Sequence, residues 1–137
     1  MWQVPLSTGT FVFDVEIQSG ICWVFGVCET KESFSGFLGS KGWAICQDSS
    51  SSSRKFRKGL SSASGVGDVR SMRIMIDMAN HSMKVRDKSG KEATLFTDLP
   101  QTCYFGVSGW HANGTSTVRV AGGDGPILLL GEKPMQR

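Results

Sequence analysis

A chain of 137 residues with a net charge of +3 has room for one domain, and a domain of this size buries about two thirds of its unfolded surface, so it needs neither metal nor disulfide staples. The charge is too small to imply a nucleic-acid partner, no apolar run approaches the roughly 18 residues of a membrane span, and Met1-Trp-Gln-Val-Pro5 lacks the basic and then apolar pattern of a secretion signal. Seventeen glycines, eight phenylalanines and four tryptophans describe a chain of turns and large apolar side chains with little suited to helix, and an all-β, intracellular, cytoplasmic protein is expected.

Alternation of period two begins at Phe11-Val-Phe-Asp-Val-Glu-Ile17, which places Phe11, Phe13, Val15 and Ile17 on one face and Val12, Asp14, Glu16 and Gln18 on the other. Cys22-Trp-Val-Phe-Gly-Val-Cys28 is apolar on both faces and belongs in the middle of a sheet, with Gly26 marking a close approach or a bulge. The two segments, joined through Ser19-Gly20, are expected to form a hairpin. From Glu29 to Lys41 the alternation fails and a loop is predicted, after which Gly42-Trp43-Ala44-Ile45-Cys46 restores a short strand. Gln47 to Gly67, rich in serine and carrying the basic cluster Arg54-Lys55-Phe56-Arg57-Lys58, is predicted to be a long loop.

The clearest pattern lies between Gly67 and Gly90. Met72, Ile74, Ile76 and Met78 share one face while Arg73, Met75 and Asp77 share the other; Ala79-Asn80-His81 breaks the strand and Met83-Lys-Val-Arg86 returns it. A sheet with one dry face needs a second to cover it, which predicts an antiparallel β-sandwich. Lys91 to Thr97 reads as a shorter strand. Cys103–Trp110 and Ser116–Ala121 are expected to form a last antiparallel pair around Asn113-Gly114, with Ile127–Leu130 either an edge strand or a cover over an opening in the core, and a frayed end from Gly131. Cys22, Cys28, Cys46 and Cys103 sit within apolar patterns with no Cys-x-x-Cys spacing, so free, buried thiols are expected. The sequons Asn80-His-Ser82 and Asn113-Gly-Thr115 read as turns.

In order along the chain, Thr8-Gly-Thr-Phe-Val-Phe-Asp-Val-Glu-Ile17, Trp23-Val-Phe-Gly-Val27, Gly42-Trp43-Ala-Ile45, Gly67-Asp68-Val69, Ile76-Asp77-Met78-Ala79-Asn80 through Gly90-Lys91, and Phe96-Thr-Asp-Leu-Pro100 resemble the strands and turns of the SPRY domain, a β-sandwich interaction module of concanavalin-like jelly-roll type. The likeness spans residues 8 to 121 and leaves 122 to 137 as a C-terminal strand and tail within one domain of 1–137. It implies the short form of the family, without the N-terminal PRY strands, with Trp2 capping the sandwich in their place. The family's long hairpin ends in Phe-x-x-Asn-Gly, whereas this chain has Val85-Arg86-Asp87-Lys88-Ser89-Gly90.

Catalysis finds no support. Ser108 in Gly106-Val-Ser-Gly109 misses the Gly-x-Ser-x-Gly elbow by one position, His81 and His111 fall in turns, the pair Cys103 and His111 is weaker than a solvated turn histidine, and Gly65-Val-Gly67-Asp-Val-Arg70 lacks the third glycine of a dinucleotide site. No catalytic residue, cofactor or metal is expected. His111-Ala-Asn113 imitates part of a galectin-type set without the following Pro-Arg, which keeps a carbohydrate-binding sandwich as the alternative. The resemblance implies a non-enzymatic module that holds a short peptide motif of a partner through loops at one end, as a substrate receptor, adaptor or scaffold of a ubiquitin-ligase or signalling complex. Hot spots favour tryptophan, tyrosine and arginine. The expected contact residues are therefore Trp43, Arg54, Phe56, Arg57, Tyr104, Trp110 and His111, and the basic cluster calls for an acidic or phosphorylated motif.

Overall fold

The computed structural model describes residues 2–6, 8–17, 23–30, 41–47, 53–109, 115–123 and 129–134. They form twelve strands: β1 (Trp2–Leu6), β2 (Thr10–Ile17), β3 (Trp23–Cys28), β4 (Trp43–Gln47), β5 (Ser53–Arg57), β6 (Leu60–Ala63), β7 (Ser71–Asp77), β8 (Ser82–Arg86), β9 (Glu92–Phe96), β10 (Cys103–Gly109), β11 (Thr115–Gly123) and β12 (Leu129–Pro134). Two six-stranded antiparallel sheets result, one ordered β1-β10-β3-β4-β5-β6 and the other β12-β11-β2-β7-β8-β9. The all-β sandwich expected from the alternation is the observed fold.

The alternation decides what lies between the sheets. Phe13 and Val15 on β2, Ile74 and Ile76 on β7, and Met83 and Val85 on β8 meet Phe25 and Val27 on β3, Ile45 on β4 and Phe105 and Val107 on β10, all buried. At the centre the rings of Phe13 and Phe105, one from each sheet, stack at 3.9 Å with planes 7° apart. The expected β7–β8 hairpin forms, with Ile74 opposite Val85 and Ile76 opposite Met83. Its turn is closed by Asp77, whose Oδ1 accepts the Ala79 and Asn80 amides at 3.0 and 3.2 Å.

β3 lies in the interior of its sheet and is covered on both faces, as its uniform apolarity predicts. Phe25 and Val27 join the main core, while Val24 and Cys28 on the other face form a second buried cluster with Ala44. Between them Gly26 is a close approach: a Cβ there would stand 2.1 Å from the Trp43 carbonyl oxygen and 2.6 Å from the Ala44 Cα. Of the thiols, Cys28 and Cys103 are buried and Cys46 is half-buried, none of the three in a disulfide, while Cys22 lies outside the described residues.

Several expectations are corrected. β2 and β3 do not form a hairpin: β2 pairs with β7 and β11, and β3 pairs with β10 and β4 in the opposite sheet. Likewise β10 and β11 do not pair, since β10 lies between β1 and β3, and β11 between β2 and β12. Turn residues signal that a chain reverses, but each returning strand joins the layer where both its neighbours and its apolar face are satisfied, and that is a long-range condition. A strand absent from the prediction, β1, pairs with β10 ahead of the first expected one; Pro5 is tolerated because β1 is an edge. Gly131 to Pro134 is not frayed but belongs to β12, which pairs with β11 as an edge strand, the first of the two readings left open for Ile127–Leu130. The long loop from Gln47 to Gly67 is also corrected: it contains the β5–β6 hairpin.

Candidate interaction site

β5 and β6 are joined by Lys58-Gly59, whose φ angles of 48° and 92° are both positive, the requirement of a two-residue turn that matches strand twist. Lys58 takes this conformation without being glycine, and its amide donates to the Gly42 carbonyl at 2.7 Å while its Nζ pairs with Glu29 at 2.9 Å. At the base of the hairpin the hydroxyls of Ser53 and Ser64 share a hydrogen bond of 2.6 Å, and the one that does not donate to the other donates to the Val66 carbonyl, which lies 3.2 Å from Ser53 Oγ and 3.1 Å from Ser64 Oγ. Those two serines are buried, which is why the segment reads as an unstructured polar loop although it folds.

Because the cluster is a strand, its residues divide between two faces. Trp43 stands opposite Arg57 and Ile45 opposite Lys55 on the inward side; Ala44 stands opposite Phe56 and Cys46 opposite Arg54 on the outward side. Tyr104 pairs with Cys28 and packs on the same outward cluster as Ala44 and Val24. The expected set is thus not one patch: Trp43 and Arg57 come together, Arg54, Phe56 and Tyr104 lie on the opposite face, and Trp110 and His111 lie outside the described residues. The Arg54 guanidinium donates to Ser61 Oγ at 3.0 Å across the hairpin.

The inward group is organised by Asp98, a residue the sequence did not single out. Its Oδ1 accepts the Trp43 indole N–H at 3.2 Å and its Oδ2 accepts Arg57 Nε at 2.5 Å. The Arg57 guanidinium beside it, set against partial burial and helped by the indole donor, holds the carboxyl below the usual aspartate range. Arg57 and Lys58 also stand over the Trp43 ring, 6.0 and 5.2 Å from its centre. With 4% of its surface exposed, Trp43 anchors the cations and offers no open ring to a sugar. Chain distance hides this pairing, for Trp43 and Asp98 are 55 residues apart.

Beside this cluster the last strands of the two sheets leave an open groove of about 320 Å³ between Lys55, Arg57, Leu60 and Ser62 on one wall and Leu95, Phe96 and Asp98 on the other. Lys55 reaches across it, donating to the Leu95 carbonyl at 3.1 Å with its ammonium 5.8 Å from the Phe96 ring. Leu60, 74% exposed, is the exposed large hydrophobic side chain among the described residues.

Burial pushes the thiols of Cys28 and Cys103 up to about 12, so neither supplies a nucleophilic thiolate at neutral pH. Among the described residues no three histidine, cysteine, aspartate or glutamate side chains gather to hold a metal, and no helix is long and apolar enough to cross a membrane.

No family model and no curated protein matches the sequence. Among solved structures, the chain is similar to the PSpry domain of TRIM65, with a TM-score of 0.62, over 89% of this chain and 72% of that one, at 16% sequence identity. At that identity the likeness is one of fold, and it defines the class: an antiparallel sandwich of the SPRY type.

Proposed function

We propose that this domain is a non-enzymatic interaction module that holds a short acidic peptide motif of a partner protein. The observation that carries the reading is the β5–β6 hairpin, a basic arm braced by Trp43 and Asp98 on a SPRY-type sandwich and bordered by an open, partly apolar groove. A surface whose geometry is set before binding loses little entropy on capture, which suits recognition of an extended segment. The role of substrate receptor or scaffold in a ubiquitin-ligase or signalling complex belongs to the same proposal and is supported by the SPRY resemblance.

A displayed random-peptide library and a glycan array, each probed with the wild-type domain and with an Arg54→Glu/Arg57→Glu variant, test the reading. Peptides enriched in aspartate and glutamate, lost on charge reversal, are the expected outcome. Enrichment untouched by the two replacements removes the basic hairpin from the site, and glycan binding without peptide binding overturns the module.

A further inference from the structure

Among the described residues, the two sheets end at edges formed by β1, β6, β9 and β12. An edge strand is a template for another chain, and proteins blunt such edges with proline, charge or bulges. β1 carries Pro5, and β12 ends in Glu132-Lys133-Pro134. β9 begins with Glu92, meets β8 through a register shift, and has its Leu95 carbonyl occupied by Lys55. β6 has none of these devices. Leu60-Ser61-Ser62-Ala63 is uncharged, regular and exposed throughout.

The two-residue turn fixes which backbone groups are open. Arg57 and Leu60 flank it, so Leu60, Ser62 and Ser64 direct their amides to β5, as the 3.4 Å bond from the Ser64 amide to the Ser53 carbonyl shows. Ser61 and Ala63 direct theirs away from the sheet, each offering one donor and one acceptor. We propose that this edge is the docking strand: an extended acidic segment of a partner protein adds beside β6 as a further strand of the sheet. The proposal rests on the interaction-module reading and specifies how the peptide is held.

Charge selects the occupant. Arg54, Lys55, Arg57 and Lys58 on the hairpin are met by only two anions among their described partners, Asp98 and Glu29. Side chains of an added strand alternate between faces. Those on the inward side lie over the groove, against Leu60 and Phe96 and within reach of Lys55 and Arg57; those on the outward side meet Arg54 beside Ser61. Acidic residues are therefore favoured on both faces. A second copy of this chain fits poorly, because β6 paired with β6 sets the two basic hairpins against each other.

The test uses a fluorescent peptide of alternating glutamate and valine, its lysine–valine counterpart, and two glutamate–valine peptides N-methylated at alternate amides in opposite registers. Ser61→Pro and Ala63→Pro each delete an outward N–H while leaving the bonds to β5. Expected are binding of the glutamate peptide but not the lysine one, loss of at least about tenfold in affinity for either proline variant, and the same loss for one methylated register alone. A folded Ser61→Pro domain that binds as wild type does, or equal tolerance of both methylated registers, overturns strand addition; if Arg57→Glu still abolishes that binding, the interaction module stands. Absence of glutamate-peptide binding overturns the docking strand, and the random library then decides the broader reading separately. A concentration-dependent dimer in sedimentation, dissolved by Ser61→Pro, overturns the proposal in favour of self-pairing.

Discussion

At Asp87 a single carboxylate closes the turn that the SPRY pattern assigns to Asn-Gly. Its Oδ1 accepts the Ser89 amide, the Ser89 hydroxyl and the Lys91 amide at 2.7–2.9 Å, and its Oδ2 accepts the Gly67 amide at 2.9 Å, so the turn after β8 is tied to the segment that opens β7. Burial pushes this carboxyl's pKa up, but the four donors outweigh it and the net shift is downward from 3.8. A folded value below the unfolded one means that the stabilisation is complete above about pH 4 and is lost as the pH falls through the lower folded value. Asp87→Asn turns one acceptor into a donor that faces another donor, and should cost about 1.5–3 kcal/mol in urea unfolding at pH 7. The difference from wild type should narrow at pH 3; a constant difference from pH 7 to pH 3 would count against the charged form as the source. Gly26 is a second residue-scale constraint. Gly26→Ala drives a methyl into the β4 backbone and should destabilise by about 1–3 kcal/mol or more, read as a lower midpoint in the same titration.

Among the elements, the β7–β8 hairpin was legible because every second residue from Met72 to Met78 is buried and the alternate ones are not. The β5–β6 hairpin was illegible because its polarity runs the other way: Ser53 and Ser64 are buried while Leu60 is exposed. A hairpin on an edge has one solvated side and little core to face, so the pattern that marks a strand is weak there. Once Ser53–Arg57 is known to be a strand, the division of the candidate site follows from its period, since Arg54 and Arg57 are an odd number of residues apart. Asp98 stayed hidden for a different reason, because its pairing with Trp43 depends on how the sheets face each other. Gly59, at φ 92°, is the element's most sensitive point. Gly59→Val forces a β-branched residue into that region at about 1–3 kcal/mol. Hydrogen exchange should accelerate at the Leu60, Ser62 and Ser64 amides while the β7–β8 amides stay protected. Uniform acceleration across both hairpins would instead mean that β5–β6 unfolds only with the whole domain.

For the whole molecule, the class of fold was readable and the path of the chain through it was not. Faces are local properties of each strand, but β2 to β3 and β10 to β11 change sheets, and such steps depend on every other strand's position. What unites the layers is apolar contact, and its centre is the Phe13–Phe105 stack. Removing either ring opens a cavity in a fully buried site and should cost about 3–5 kcal/mol, a large part of the roughly 5–15 kcal/mol that holds a domain folded. Stacked rings carry a further pairwise energy of about 0.5–1.5 kcal/mol. In a double-mutant cycle, Phe13→Leu/Phe105→Leu should therefore cost less than the two single replacements together by about that amount, leucine being chosen to keep the layers filled. All four proteins should unfold in one transition seen alike by circular dichroism and tryptophan fluorescence. Strict additivity would mean that the two rings are only neighbours in a common core, and separate transitions would mean that each sheet holds together without the other.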